Sequence, residues 1–242
     1  MKTIISQTSQ ELGQKAAAHS AQVINEAIAN KGYANIILST GASQFDTLSA
    51  LIGQSIDWSR VTVFHLDEYL GMSIDHKASF RRYLNERFVS KINLGEFVPV
   101  NGEGDKDQAI ASLCKRIEGV EIDLALIGIG ENAHIAFNDP PADFDTEQPY
   151  IIVKLDLDCR KQQLGEGWFA TIDDVPTHAI SMSVKQILKS KVIISSVPYA
   201  VKANAVCKTI NTDTLDPMVP ATALKNHADW SLYLDSDSAA KL

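Results

Sequence analysis

Two hydrophobic periods alternate along this chain. Short, nearly unbroken apolar runs recur at Ala34–Leu38, Val61–Leu66, Ile122–Ile127, Tyr150–Leu155, His178–Val184, Lys191–Val197 and Trp230–Leu234. Runs of this length, several of them closed by glycine, serine or proline, predict strands buried on both faces, as in a parallel sheet. Between them the apolar positions take helical spacing. Leu12, Ala16, Ala17, His19, Val23, Ile24 and Ala27 predict a helix from about Ser9 to Asn30, with Ser9 as its cap and Gly32 as its stop. Phe45, Leu48, Leu51 and Ile52 predict a second helix. Phe80, Tyr83, Leu84 and Phe88 predict a third, with Arg81, Arg82 and Arg87 beside it as a solvated face. Gln108–Ile117 reads as helical, Lys185–Lys189 as a short helical turn, and Pro198 opens a helix to about Ile210. No internal repeat, low-complexity tract or Pro/Ser linker interrupts the alternation. The prediction is an α/β protein, a single domain over residues 1–242, built on one doubly wound, mostly parallel sheet. Residues 140–175 break the pattern. Pro140–Gln148 is irregular and acidic. The polar segment Asp158–Asp174 holds Gly165–Glu166–Gly167–Trp168–Phe169, which reads as a mobile loop over a site or as a loop whose Trp plugs the core.

Open α/β sheets bind ligands just beyond the carboxyl ends of their strands. Three such ends carry polar chemistry here. After Leu38 come Ser39, Thr40, Gly41, Ala42 and Ser43, then a helix. A strand, a loop of small residues and a helix start can hold a phosphate on backbone N–H groups and hydroxyls, although capping Ser and Thr in an ordinary turn read equally well. After Leu66 come Asp67 and Glu68, a candidate base or a helix cap. After Ile127, Gly128 and Gly130 turn the chain into Glu131, Asn132, His134, Asn138 and Asp139, where a His among carboxylates and amides is a candidate acid–base centre. Lys202 stands in the first turn of the last helix. A cation is disfavoured there unless an anion binds, which points to phosphate.

Composition narrows the classes. The 242 residues, 45% of them hydrophobic, suit a full globular core. A net charge of −8 argues against a nucleic-acid binder but leaves room for a small anionic ligand. Cys114, Cys159 and Cys207 have no metal spacing and form no disulfide framework. Each reads as a small packed residue in a reducing cytoplasm. No run has the length of a membrane span, and the first residues lack the apolar core of a signal peptide.

Four stretches in this order resemble the glucosamine-6-phosphate deaminase (isomerase) family, relatives of the 6-phosphogluconolactonases. They are Ser39–Ser43, the FHLDEY of 64–69 with DHKASFRRYL at 75–84, the GIGENAHIAFNDP of 128–140, and the Lys202 helix start. The resemblance spans nearly the whole chain. It implies a modified Rossmann-like fold of the sugar-phosphate isomerase type. It also implies conversion of glucosamine 6-phosphate and water to fructose 6-phosphate and ammonia, with no cofactor and no metal. The partner it implies is a phosphorylated amino sugar, in the cytoplasm, without nucleic acid or membrane. Family members range from monomers to hexamers, so a homo-oligomer stays open. By the resemblance, Asp67 moves the proton from carbon 2 to carbon 1. His134 opens the pyranose ring, supported by Asp139 and Asn132. Ser39, Thr40, Gly41, Ala42, Ser43 and Lys202 hold the phosphate, with Glu68 and Gly130 completing the substrate contacts.

This sequence departs from the family at several points. Asn132 stands where well-studied members have an Asp paired with the His, and an amide can orient an imidazole but not neutralise its cation. Asp139 replaces a Glu one methylene longer, so contact with His134 through water is the expectation. QLGEGW, 163–168, lacks the phosphate Arg of some members, which leaves either Arg160 as the substitute or none. The acidic 141–148 segment shows no match to the cationic effector site of allosteric members. Three rivals remain open. A 6-phosphogluconolactonase usually has Asp-Glu-Arg where Tyr69 follows Glu68 here, and a Thr and small residues where Ile135–Asn138 follow His134. A galactosamine-6-phosphate deaminase would differ by one inverted hydroxyl. A sugar-phosphate sensor usually carries a DNA-binding domain, for which the roughly 30 residues before the first predicted strand leave no room.

Overall fold

In the computed structural model, which describes all 242 residues, the predicted alternation is present with additions. The order is β1 (Lys2–Ser6), α1 (Ser9–Lys31), β2 (Ala34–Leu38), α2 (Phe45–Ile52), β3 (Val61–His65), β4 (Asp67–Tyr69), α3 (Phe80–Arg87), β5 (Glu96–Val98) and α4 (Lys106–Ile117). It continues through β6 (Leu124–Leu126), β7 (Tyr150–Lys154), α5 (Leu157–Gly165), β8 (His178–Met182), α6 (Val184–Leu188), β9 (Val192–Val197), α7 (Ala203–Asn211) and β10 (Trp230–Asp235).

Seven strands form one all-parallel sheet in the order β1-β10-β9-β6-β2-β3-β5. Successive residues of a strand point to opposite faces, so each apolar run feeds two cores. Ile37, Ala125 and Phe64 enter the core under α4, α6 and α7. Their neighbours Ile36, Leu38, Leu124 and Leu126 enter the core under α1 and α2, which Tyr83 and Leu84 of α3 join. From β2 the order grows one way through β3 and β5. From β6, beside β2, it grows the other way through β9 and β10. The reversal leaves a crevice at the carboxyl ends of β2 and β6, where such sheets take ligands.

The pattern does not announce two strands of this sheet, β1 and β5, or a second sheet. β1 precedes the run read as the first core strand, and its exposed-to-intermediate positions hid it. β4, β7 and β8 form a separate antiparallel sheet in the order β4-β8-β7. The chain passes from one sheet to the other between His65 and Asp67. Met182 N–H donates to Leu66 O at 2.9 Å and the Tyr150 hydroxyl to His65 O at 2.8 Å, which pins the crossing. The small sheet covers a third core of Tyr69, Phe80, Phe137, Cys159, Phe169 and Val175.

Three local expectations are corrected. Thr8, not Ser9, caps α1, because its hydroxyl reaches Glu11 N at 3.2 Å; Gly32 stops the helix at φ 87° as predicted. Arg81 is not on a solvated face. It is buried, with its Nε 3.3 Å from Glu68 Oε2 and its other nitrogens on Asn101, Met72 O and Glu103. A buried Glu68 carboxylate requires that cation. Residues 157–165 of the polar segment form a helix with Asp156 as cap, and Trp168 is half-buried against the third core, as the second reading of its loop had it, with its Nε1 donating to Glu166.

Candidate active site

The crevice between β2 and β6 opens into a cavity of about 930 Å³. Its walls come from the loop after β2, the start of β4, the loop after β6, the inner side of α5 and the entry to α7. Ser39, Thr40, Gly41, Ala42, Ser43, Asp67, Gly130, Asn132, His134 and Lys202 all line it. Residues far apart in the chain therefore meet at one site.

The loop after β2 is held from three sides. Ser39 N–H donates to Leu126 O at 3.1 Å. Gln44 Nε2 donates to Ser43 Oγ and to Ser196 O. The Tyr83 hydroxyl, on α3, donates to Gly41 O at 3.0 Å. Gly41 has φ 102° and ψ 163°, a conformation open only to glycine. Ser39 Oγ is buried without a partner. Lys202 is 6% exposed, and its ammonium makes neither an ion pair nor a hydrogen bond within the protein. Burial lowers its pKa, against the opposing pull of Glu166 and Glu131. An unpaired buried ammonium beside an unpartnered hydroxyl and free loop amides can hold an anion.

Asp67 sits at the crossing between the two sheets and is buried. Burial pushes its pKa well above the ordinary carboxylate value, and Glu68 adds to the rise. Glu68 itself faces away from the cavity, contrary to its expected contact with substrate. Its carboxylate accepts from Ser79 Oγ and the N–H groups of Tyr69, Phe80 and Arg81, and pairs with the Arg81 guanidinium. It anchors the N-terminus of α3 and stands behind Asp67.

His134 lies in a compact turn. Gly130 N–H donates to His134 O at 2.9 Å and Ala133 N–H to Gly130 O at 3.0 Å. Ala133 and Ala136 hold positive φ of 67° and 51°, strain of the kind that collects at functional sites. A side chain on residue 130 would put its Cβ 2.3 Å from the imidazole, so only glycine lets the ring lie there. Nδ1 of the ring is 3.0 Å from Asp139 Oδ1, a direct approach rather than the water-mediated one expected of the shorter side chain. The turn brings the backbone close enough to make up the missing methylene. The oxygen lies off the N–H line, so Nδ1 has no aligned hydrogen bond.

Burial raises the Asp139 pKa, but His134 and the donors Asp156 N–H and Asn132 Nδ2 outweigh it and hold the carboxyl below the usual range. Asn132 does not touch the imidazole. Its amide nitrogen bridges Asp139 and Asp156, and its oxygen takes His134 N–H. It orients the carboxylate and the turn, not the ring. Asn138 is likewise structural, donating to Ile135 O and Met182 O. The Cys159 thiol packs behind this pair, within 4.8 Å of the ligand atoms of His134 and Asp139.

Arg160 does not replace a phosphate arginine. Its guanidinium is spent on the carbonyls of Val175 and Ile172, outside the cavity. Several lining residues gave no sequence signal. Asp156 was indistinguishable from any helix cap. Gln162 and Tyr199 became visible only when α5 and the entry to α7 folded against the cavity, whereas Glu166 belongs to the Gly165–Phe169 stretch that one reading placed over a site.

A family model described as glucosamine-6-phosphate isomerases/6-phosphogluconolactonase matches residues 7–232. The chain is 33% identical to a glucosamine-6-phosphate deaminase of Bacillus pumilus, covering 99% of both chains. It is 33% identical to one of Listeria innocua, covering 91% of this chain and 93% of the other. A solved structure of a monomeric glucosamine-6-phosphate deaminase superposes over all of both chains with TM-score 0.90 at 30% identity. A 6-phosphogluconolactonase from Shewanella baltica shares the fold, with TM-score 0.80 at 18% identity over 97% of each chain.

Proposed function

Since the chain belongs to the family of glucosamine-6-phosphate isomerases and 6-phosphogluconolactonases, we propose that it is an amino-sugar-phosphate deaminase, converting glucosamine 6-phosphate and water to fructose 6-phosphate and ammonia. One observation carries the reading. A buried carboxylate, Asp67, and an imidazole backed by a carboxylate, His134 with Asp139, share one cavity with an unpaired ammonium, Lys202.

In this reading Lys202, Ser39 and the loop amides take the phosphate. That binding energy, spent far from the reacting carbons, orients the sugar. The imidazole nitrogen facing the cavity takes the proton of the carbon-1 hydroxyl and passes one to the ring oxygen, opening the ring. Asp139 stabilises the imidazolium formed on the way. Asp67 as carboxylate then removes the carbon-2 proton and returns it to carbon 1. The carbon-2 amine becomes an imine, and water hydrolyses it to ketone and ammonia. The dry setting of Asp67 strengthens it as a base, because an unsolvated carboxylate with a raised pKa takes a carbon-bound proton more readily. Residues 1–242 form one catalytic unit, and three free cysteines suit a reducing cytoplasm.

The test is ammonia release from purified protein with glucosamine 6-phosphate and galactosamine 6-phosphate side by side, and lactone hydrolysis as control. Ammonia from the gluco sugar supports the reading. Ammonia from the galacto sugar alone reassigns the epimer, and lactone hydrolysis without ammonia overturns it.

A further inference from the structure

We infer that His134, Asp139 and Cys159 form an inhibitory site for a thiophilic divalent cation of the Zn²⁺ class. The imidazole Nδ1, a carboxylate oxygen and the thiol sulfur lie within 4.8 Å of one another, and all three residues are buried. A second, independent feature points to a ligand. Nδ1 is buried and has no aligned partner, although Asp139 is close by. The donors are one nitrogen, one oxygen and one sulfur. Hard cations such as Mg²⁺ and Ca²⁺ take oxygen shells, whereas zinc takes this mixture. Zinc bonds of about 2.0–2.3 Å put tetrahedral ligand atoms about 3.3–3.8 Å apart, so the longest edge of the triad closes by about 1 Å.

Charge also balances. A dication with one carboxylate, one thiolate and a neutral imidazole buries no net charge. On binding, the Cys159 S–H bond breaks, a sulfur–metal bond forms, and the proton leaves to solvent; nothing is oxidised or reduced. An outer shell is already in place. Asn132 Nδ2 and Asp156 N–H hold Asp139, and the Asp156 carboxylate accepts Cys159 N–H.

The consequence for turnover follows from the ring. A cation on Nδ1 leaves the other nitrogen protonated and facing the cavity. It can then donate but not accept, and ring opening stops. The Ser39–Ser43 loop and Lys202 do not touch the cluster, so sugar phosphate still binds. Inhibition therefore lowers kcat and spares KM. This kinetic consequence rests on the deaminase reading; the binding site itself does not.

The experiment titrates chelator-treated protein with Co²⁺, a spectroscopic stand-in for Zn²⁺. One equivalent per chain, with a thiolate-to-cobalt charge-transfer band in the near ultraviolet, is expected. The Cys114→Ser, Cys207→Ser double variant keeps that band. Cys159→Ser loses it and binds more weakly by more than the roughly 10–100-fold that loss of an outer-shell partner costs. Zn²⁺ lowers kcat of the wild type at constant KM, a chelator restores it, and Cys159→Ser resists. No thiolate band in the wild type overturns the site, as does a band lost with Cys114 and Cys207 or equal zinc inhibition of Cys159→Ser. Should Cys159→Ser not fold, the wild type and the double variant decide alone. A normal cobalt band in a protein that releases no ammonia would condemn the deaminase reading and leave the metal site standing.

Discussion

Asp67 is held in a state that costs the fold something. Its pKa is raised by burial and then by Glu68. Below the ordinary value of about 3.9 it is neutral folded or unfolded. As pH rises, the unfolded chain ionises first, and each pH unit up to the folded pKa removes about 1.4 kcal/mol of stability. Asp67→Asn therefore abolishes ammonia release and raises Tm at neutral pH, a gain that vanishes below about pH 4 in a pH series of melts. An inactive variant without the gain would show that Asp67 is solvated. Asp139 has the opposite sign. Its lowered pKa contributes stability above about pH 3.8 that is lost as acid protonates it. Asp139→Asn is expected to lower kcat far more than it raises KM, since it touches the imidazole and not the phosphate socket. Lys202→Ala should do the reverse, raising KM for sugar phosphate and the inhibition constant for inorganic phosphate. Unchanged values would remove Lys202 from the socket.

At the scale of elements, α3 works as a strut. Glu68 grips its N-terminus from beside Asp67, and Tyr83, less than a turn along, holds the Gly41 carbonyl of the loop after β2. The strut is braced by Phe45 stacked on Tyr83 and by Arg87 over Phe45 at 4.1 Å. Tyr83→Phe removes one hydrogen bond of about 1 kcal/mol. We expect roughly a fivefold rise in KM with kcat little changed and Tm lower by about 2–4 °C, read from steady-state kinetics and a melt; a fall in kcat at constant KM would refute the strut. None of this was legible in the chain. Arg81 sits in a helical pattern whose polar members normally face water, Tyr83 reads as one of its apolar members, and Glu68 looks like any acid beside a turn. The fate of such residues depends on a carboxylate buried in another element, which periodicity cannot register. Asp67 was legible as a cavity residue because it comes two residues after a buried strand, and His134 because the glycine turn that carries it opens at the end of another. Cys159 was not, because its neighbours Asp139 and His134 are brought to it only by the turn after β6 and the small sheet.

The whole molecule divides labour between its two sheets. The parallel sheet supplies the anion loop, the His134 turn and Lys202. The antiparallel sheet carries Asp67 and roofs the third core. Its existence escaped the sequence pattern because β4 is three residues long and its one partner, β8, lies more than a hundred residues away. The parallel sheet was readable, since strands covered on both faces leave continuous apolar runs. Leu232, fully buried in β10 away from the cavity, tests the division. Leu232→Ala should cost about 2–5 kcal/mol of stability and leave kcat near native at a temperature where the protein stays folded. The strand order has a further consequence, for synthesis. β1 has a single partner, and that partner is β10, the last strand to be made. At about 5–20 residues per second, the first strand leaves the ribosome roughly 10–45 s before its mate exists. The nascent chain carries an unpaired β-edge while the roughly 220 residues between the two strands are made, and this margin of the sheet closes only once β10 has emerged.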